Sequence, residues 1–274
     1  LHGAIDEVRL YNRALSDTEV NNLYWAGYPF PGPLNIDMTD RLAAWYPMLG
    51  LNPGFVLDRT ASLLPPYTNP FPGPDYPGGG IGRRLARWNA PFTEGRFGAT
   101  DIDGAIDFNA TWASNLGAPG STWLDSQNTD GWQVGLGNAT TSVPDVTPTT
   151  AFTISFWANL TQAPGMDAGD PTAALFGNSF GDQDGSWRVE MDSAGLVGFR
   201  AKPGGAAITA KSSNPLVPDG KWHHVIITRD DGTGGGTPGT VQFYLDGDPS
   251  GNPQPMSVAL PVPNAPAPRF IVGQ

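Results

Sequence analysis

Gly220-Lys-Trp-His-His-Val-Ile-Ile-Thr-Arg-Asp230 and Val241-Gln-Phe-Tyr-Leu-Asp-Gly247 read as two strands and a turn. Trp222 to Thr228 and Val241 to Leu245 are rich in the β-branched and aromatic residues that fill a pleated, half-buried surface. A glycine-rich loop, 230 to 239, joins them, and Asp246-Gly247 supplies the next turn. Working outward, the same signature recurs. In Ala151-Phe-Thr-Ile-Ser-Phe-Trp-Ala158, Phe152, Ile154, Phe156 and Ala158 fall on one face of a strand. Trp187 to Met191 and Leu196 to Arg200 flank Asp192-Ser-Ala-Gly195, a hairpin turn. Shorter strands are predicted over Leu42 to Met48, Ala105 to Phe108 and Arg269 to Val272. Many short strands with turn residues between them predict an all-β, antiparallel β-sandwich of the jelly-roll kind.

Composition agrees. The 274 residues include 36 Gly and 28 Pro, a density of backbone punctuation that argues against a helical bundle. Nine Trp, 13 Phe and seven Tyr supply ample material for a core. The formal net charge is −11, and no basic stripe is visible, which excludes phosphate-backbone recognition; nucleic acid is not an expected partner. With no Cys, thiol catalysis, disulfides and zinc–thiolate sites are excluded. No apolar run approaches the roughly 18 residues of a membrane span. Of the 26 acidic residues only four are Glu (Glu7, Glu19, Glu94 and Glu190), so the acids are mostly the Asp of turns.

The first 28 residues form a unit of their own. Ala4-Ile-Asp-Glu-Val-Arg-Leu-Tyr11 reads as a strand whose alternation slips once, marking a bulge. Ser16-Asp-Thr-Glu19 is a capping box, predicting a short helix from Ser16 to about Trp25, with Gly27 as its stop. Residues 29–37 read as a proline-rich linker, and residues 49 to 100 as a long, irregular, contact-forming loop.

These stretches carry a resemblance. The Gly220–Asp230 and Val241–Gly247 pair resembles the "DGxWHHV…YVDG" hairpin of laminin G-like domains, within the concanavalin A-like lectin/glucanase superfamily. Phe152 to Ala158 resembles the family's "FTISxW" strand, and Gly95-Arg-Phe-Gly98 with Gly104 to Asn109 its "GxFGxAxxFDG" segment. Leu42 to Met48 resembles the first strand, and residues 3 to 24 are similar to the closing segment, "GxIDEVRIYNRALSxxEI…LY". The order departs from the family's: the closing segment comes first, and the sequence stops at Phe270-Ile-Val-Gly-Gln274, where the family would next write a short loop and then the closing strand. Three arrangements remain open. The chain is a window from tandem repeats, a subunit that donates its closing strand to a neighbour, or a circular permutant.

The first two lead to one expectation. Residues 1–28 complete a neighbouring copy, and residues 38–274 form a sandwich lacking its own last strand. Ile5, Val8, Leu10 and Tyr11 would then be the strand-exchange interface, since an open sheet edge is a template for another strand. The expected function is an extracellular, non-enzymatic, adhesive module assembling with other copies or adjacent repeats. The alternative is a carbohydrate-binding lectin module, with glycans as partners. For that reading Trp88, Trp112, Trp123 and Trp132, in irregular segments, are the candidate stacking platforms. The resemblance also implies a structural Ca²⁺ held by Asp6, with Asp58 placed as its partner. Glycosidase chemistry needs a carboxylate pair; Glu190-Met-Asp192 begins the glucanase pattern, but no second Glu follows. His223 and His224 are strand neighbours on opposite faces and cannot easily share a metal.

Overall fold

The computed structural model describes residues 3–11, 13–25, 42–46, 55–57, 84–88, 92–94, 104–107, 123–125, 151–161, 172–177, 186–202, 206–231, 239–256 and 271–272. In chain order the elements begin with β1 (Gly3–Tyr11), α1 (Asp17–Trp25), β2 (Leu42–Tyr46), β3 (Phe55–Leu57), β4 (Arg84–Trp88), β5 (Phe92–Glu94), β6 (Gly104–Asp107) and β7 (Trp123–Asp125). They continue with β8 (Phe152–Leu160), β9 (Thr172–Gly177), β10 (Ser186–Asp192), β11 (Leu196–Lys202), β12 (Ile208–Pro215) and β13 (Trp222–Arg229). The last are β14 (Thr240–Leu245), β15 (Asp248–Pro249), β16 (Gln254–Pro255) and β17 (Ile271–Val272). The first sheet runs β15-β14-β13-β8-β1-β6-β5, with β2 also on β1 and β16 on β14. The second runs β12-β11-β10-β9-β17-β7-β4-β3. All pairings are antiparallel, as the turn-rich sequence predicts.

Alternation builds the core. Ile5, Val8 and Leu10 of β1, Phe152, Ile154 and Phe156 of β8, and Val225 and Ile227 of β13 face Trp187, Val189 and Met191 of β10 and Val197 and Phe199 of β11. The rings of Phe152 and Phe199 meet across the gap with centroids 5.2 Å apart. The other face of the first sheet is covered by α1. Val20 and Leu23 of the helix, with Leu15, pack on Tyr11, Leu42, Ile226 and Tyr244 in a second small core.

The placement of β1 corrects the expectation of strand exchange. It pairs with β8 of its own chain (Ile5 opposite Ala158, Leu10 opposite Ile154) and, on its other edge, with β6 and β2. It is a central strand, and Ile5, Val8, Leu10 and Tyr11 are core residues of this same sandwich. The physical reason is that the slot left between β8 and β6 has unpaired backbone groups and an apolar lining, and the chain's own strand satisfies both.

The predicted bulge is present. Between Asp6/Trp157 and Arg9/Ser155 the register shifts, so that Glu7 and Val8 together oppose one residue of β8. Glu7 takes φ 53° there, its N–H donating to Asp6 Oδ1 at 2.7 Å and its carboxylate accepting from Arg9 Nη2 at 2.7 Å. The capping box also forms: the Ser16 N–H and hydroxyl both donate to Glu19 Oε2, at 2.9 and 2.8 Å, and the helix starts at Asp17. Three strands, β3, β4 and β5, run through the stretch read from sequence as an irregular loop, because each is too short for alternation to show.

Candidate functional site

The outer face of β10–β12 gathers the polar side chains that the core rejects. In β10 Trp187, Val189 and Met191 turn inward, which leaves Arg188, Glu190 and Asp192 outside. The turn at Asp192–Gly195 fixes how β11 lies beside it. Asp192 Oδ1 accepts from the N–H groups of Ala194 and Leu196, both at 3.0 Å, and Gly195 takes φ 79°. That register sets Arg188 opposite Arg200, Glu190 opposite Gly198, and Ser186 opposite Lys202. The next strand adds Thr209 opposite Arg200 and Lys211 opposite Gly198. Two of the chain's three lysines and two of its arginines therefore share one patch of a protein whose net charge is −11.

Two of the cations hold acids in place. Arg188 Nε donates to Glu190 Oε2 at 2.7 Å, and Lys211 Nζ to Asp192 Oδ2 at 2.7 Å. Burial alone would raise the Asp192 carboxyl; Lys211 and the two turn N–H groups outweigh it and hold the group below its ordinary value. Gly198, between Glu190 and Lys211, is itself buried. A Cβ there would meet Glu190 Cγ at 3.4 Å and Thr209 Cγ2 at 3.5 Å, ordinary contacts.

Further along the same sheet, register places the Trp candidates. Val189, an inward residue, pairs with Phe176, Phe176 with Val272, and Val272 with Leu124. Trp123, next to Leu124, pairs across the ladder with Trp88. Sequence reading put both in irregular segments; the structure puts them in β7 and β4, as direct cross-strand partners. Trp112, Trp132 and Asp58 lie outside the described residues. At about 4.8 Å per strand, the Trp pair stands roughly 15 to 20 Å from Arg188 across the sheet.

Asp6 is brought to none of these. It is buried in the bulge of β1, beside Glu7 and Arg9, with one carboxylate oxygen on the Glu7 N–H. Among the described residues no three His, Asp or Glu side chains come together as a metal site requires. The neighbouring carboxylate, Glu7, is paired with Arg9 through Oε2.

Two side-chain arrangements contain a histidine. Ser155 Oγ lies 2.9 Å from His224 Nε2, a distance compatible with a nucleophile and its base. Both residues are 1% exposed, and the His224 ring is stacked on Trp157 at 4.6 Å and 14°, with Tyr24 of α1 over both. No substrate carbonyl reaches that hydroxyl, so the pair is a packed core contact. His223, on the opposite face, bridges Asp246 Oδ2 at 2.7 Å and Asp219 Oδ1 at 3.1 Å. Burial would lower its pKa, but Asp246 and then Asp219 raise it above the ordinary imidazole value. His223 thus ties the loop before β13 to the turn after β14.

A family model of the concanavalin A-like lectin/glucanases superfamily matches residues 123–273. No curated protein sequence matches the chain significantly. Among solved structures, the carbohydrate-binding module CBM40 of a Ruminococcus gnavus IT-sialidase, bound to α2,6-sialyllactose, aligns at 12% identity and TM-score 0.30, over 45% of this chain and 62% of that one. The carbohydrate-binding module CBM66 from Bacillus subtilis aligns at 18% identity and TM-score 0.26, over 46% and 79%. Domains LG4-5 of the mouse laminin α1 chain align at 12% identity and TM-score 0.32, over 99% and 75%. The chain spans a little under two thirds of the first of these structures.

Proposed function

Because the chain belongs to the concanavalin A-like lectin/glucanases superfamily, whose model spans more than half of it, we propose that it is a non-catalytic carbohydrate-binding module whose ligand lies along the outer face of the second sheet. The observation that carries this reading is the register that makes Trp88 and Trp123 cross-strand partners in the sheet that also bears Arg188, Arg200 and Lys211. Aromatic faces stack on sugar rings, and polar side chains beside them fix orientation through hydrogen bonds.

The absence of catalysis is part of the proposal. Hydrolysis of a glycosidic bond needs one carboxyl that holds a proton and one that is ionised. On this face Glu190 is bonded to Arg188, and Asp192 is bonded to Lys211 and two turn N–H groups. Asp192 is held ionised, with Oδ1 engaged by the turn N–H groups and Oδ2 by Lys211. Polysaccharides of this kind are met outside the cell, which is where the module would act.

Binding to a panel of immobilised plant, bacterial and animal glycans tests the proposal. Retention on at least one class is expected, weakened on Trp88→Ala or Trp123→Ala while the melting temperature stays within a few degrees. Retention unchanged in both variants would remove the face from consideration, and release of reducing ends from a bound glycan would make the module an enzyme.

A further inference from the structure

Another aromatic surface lies on the outer side of the first sheet, at the end of α1. The chain enters the helix beside Thr153, whose Oγ1 accepts from the Leu15 N–H at 2.9 Å, and leaves it over Trp157. The helix therefore points along β8 toward Asn159. Tyr24 is stacked on Trp157 at 5.7 Å and 20°, and on His224 at 6.0 Å and 17°. Trp25, the last residue of α1, stands edge-on to Tyr24 at 4.8 Å and 68° and is 76% exposed. Alternation carries the surface one row further. Phe156, Ala158 and Leu160 of β8, and Val225 and Ile227 of β13, face the main core, so Asn159 and Trp222 face the helix side. These two are direct cross-strand partners, and both are partly exposed. Their row lies about 7 Å beyond the row of Trp157 and His224. The end of α1 is thus a wall of Tyr24 and Trp25 beside a floor of Trp222 and Asn159.

We infer that this corner is a second carbohydrate site, taking a neutral hexopyranose ring independently of the ligand proposed for the second sheet. Trp25 gains little for stability, since most of its area is left in water. What it offers is a broad apolar face for the C–H side of a sugar ring. Its contact with the Tyr24–Trp157–His224 stack fixes the indole before a ligand arrives, which lowers the ordering cost of binding. Asn159 supplies an amide with both donors and an acceptor, which suits sugar hydroxyls. Charge selects against acidic sugars. Around Gly247, which packs on Tyr24, three acids (Asp219, Asp246 and Asp248) stand against at most two cations, Lys221 and His223, and both cations are bonded to these acids. A uronate or a sulfated ring would meet that excess of negative charge; an uncharged ring does not.

An NMR titration read at the Trp25 indole N–H, identified by its absence from Trp25→Ala, tests the site with cellopentaose, mannopentaose, galactotetraose and tetragalacturonate. At least one neutral oligosaccharide is expected to shift that signal, with tetragalacturonate about ten-fold weaker or without effect. Asn159→Ala should raise the dissociation constant read there about five- to ten-fold, while Trp88→Ala and Trp123→Ala leave it unchanged. By calorimetry, the double variant Trp88→Ala/Trp123→Ala should retain a neutral-sugar site that is lost on adding Trp25→Ala; thermal melting of each variant verifies folding. A double variant that binds none of the neutral probes would overturn this site and leave the second-sheet reading standing. An indole signal that no neutral probe moves, or that tetragalacturonate moves at the lowest concentration, would overturn the assignment whatever the second sheet binds. A dimer in sedimentation that Trp25→Ala abolishes, with no sugar moving the signal, would make the surface a protein contact and overturn it too.

Discussion

Replacing Ile5 by Ala tests whether β1 is a strand of its own sandwich. Ile5 is fully buried, opposite Ala158, inside the main core. The substitution deletes three carbons, worth about 0.8 kcal/mol each in transfer from water, so roughly 2.4 kcal/mol. The neighbours around it come from strands of both sheets and cannot all collapse inward, so a cavity term brings the loss to about 3 to 4 kcal/mol. In a domain of this size that lowers the melting temperature by about 6 to 12 °C. Urea denaturation followed by Trp fluorescence measures it, and the decisive feature is its dependence on protein concentration. A strand docked in its own chain gives a midpoint that does not move with concentration, in wild type and variant alike; a strand borrowed from another copy gives a midpoint that rises with concentration. A concentration-dependent midpoint, or a loss below about 1 kcal/mol, would refute the placement of β1 described here.

Other predictions follow from local contacts. Gly247→Ala should destabilise by about 1 to 3 kcal/mol in thermal melts, because φ is 87° and a Cβ would lie 2.9 Å from Tyr24 Cδ1. The His223 pKa is raised by Asp246 and Asp219 against burial, so its stabilisation is full below the unfolded value near about 6.5 and is lost as pH rises through the folded value. The stability gap between wild type and His223→Gln should therefore be wider at about pH 5.5 than at about pH 8.5. Glu19 is held at about 2 by Arg13, with further help from Ser16. The stability it adds is present above about pH 4.3 and fades as pH falls toward 2, so Glu19→Gln should cost less at about pH 2.5 than at about pH 7 by chemical denaturation. That loss at neutral pH should be about 1 kcal/mol, the usual worth of a capping side chain.

Local structure was readable where its chemistry is local. Ser16 and Glu19 announce the helix because a capping box needs only four residues. The slip in Ala4–Tyr11 announces the bulge, and Asp192–Gly195 announces a hairpin because its side chain caps its own turn. What alternation gives is the face a residue occupies, not the strand it sits beside. The neighbour of β1 is chosen by an unpaired slot built from residues some 150 positions later, and nothing in Gly3–Tyr11 distinguishes a slot in this chain from one in another. The basic rows were within reach: folding the chain about Asp192–Gly195 sets Arg188 against Arg200 by counting alone. Trp88 and Trp123 were picked out for their aromatic rings, yet β4 and β7 are of five and three residues, too brief to betray a period.

The separation between β1 and β8 has a consequence for synthesis in the cell. Ile5 leaves the ribosome about 150 residues ahead of Ala158, which it lies against, roughly 8 to 30 seconds at ordinary translation speeds. Throughout that interval a nine-residue segment made for pairing lacks its longest partner strand, β8. Asp6, Glu7 and Arg9, interleaved with its apolar residues, place charge in the middle of a sticky stretch, which is how nascent segments are kept from adhering to one another while they wait.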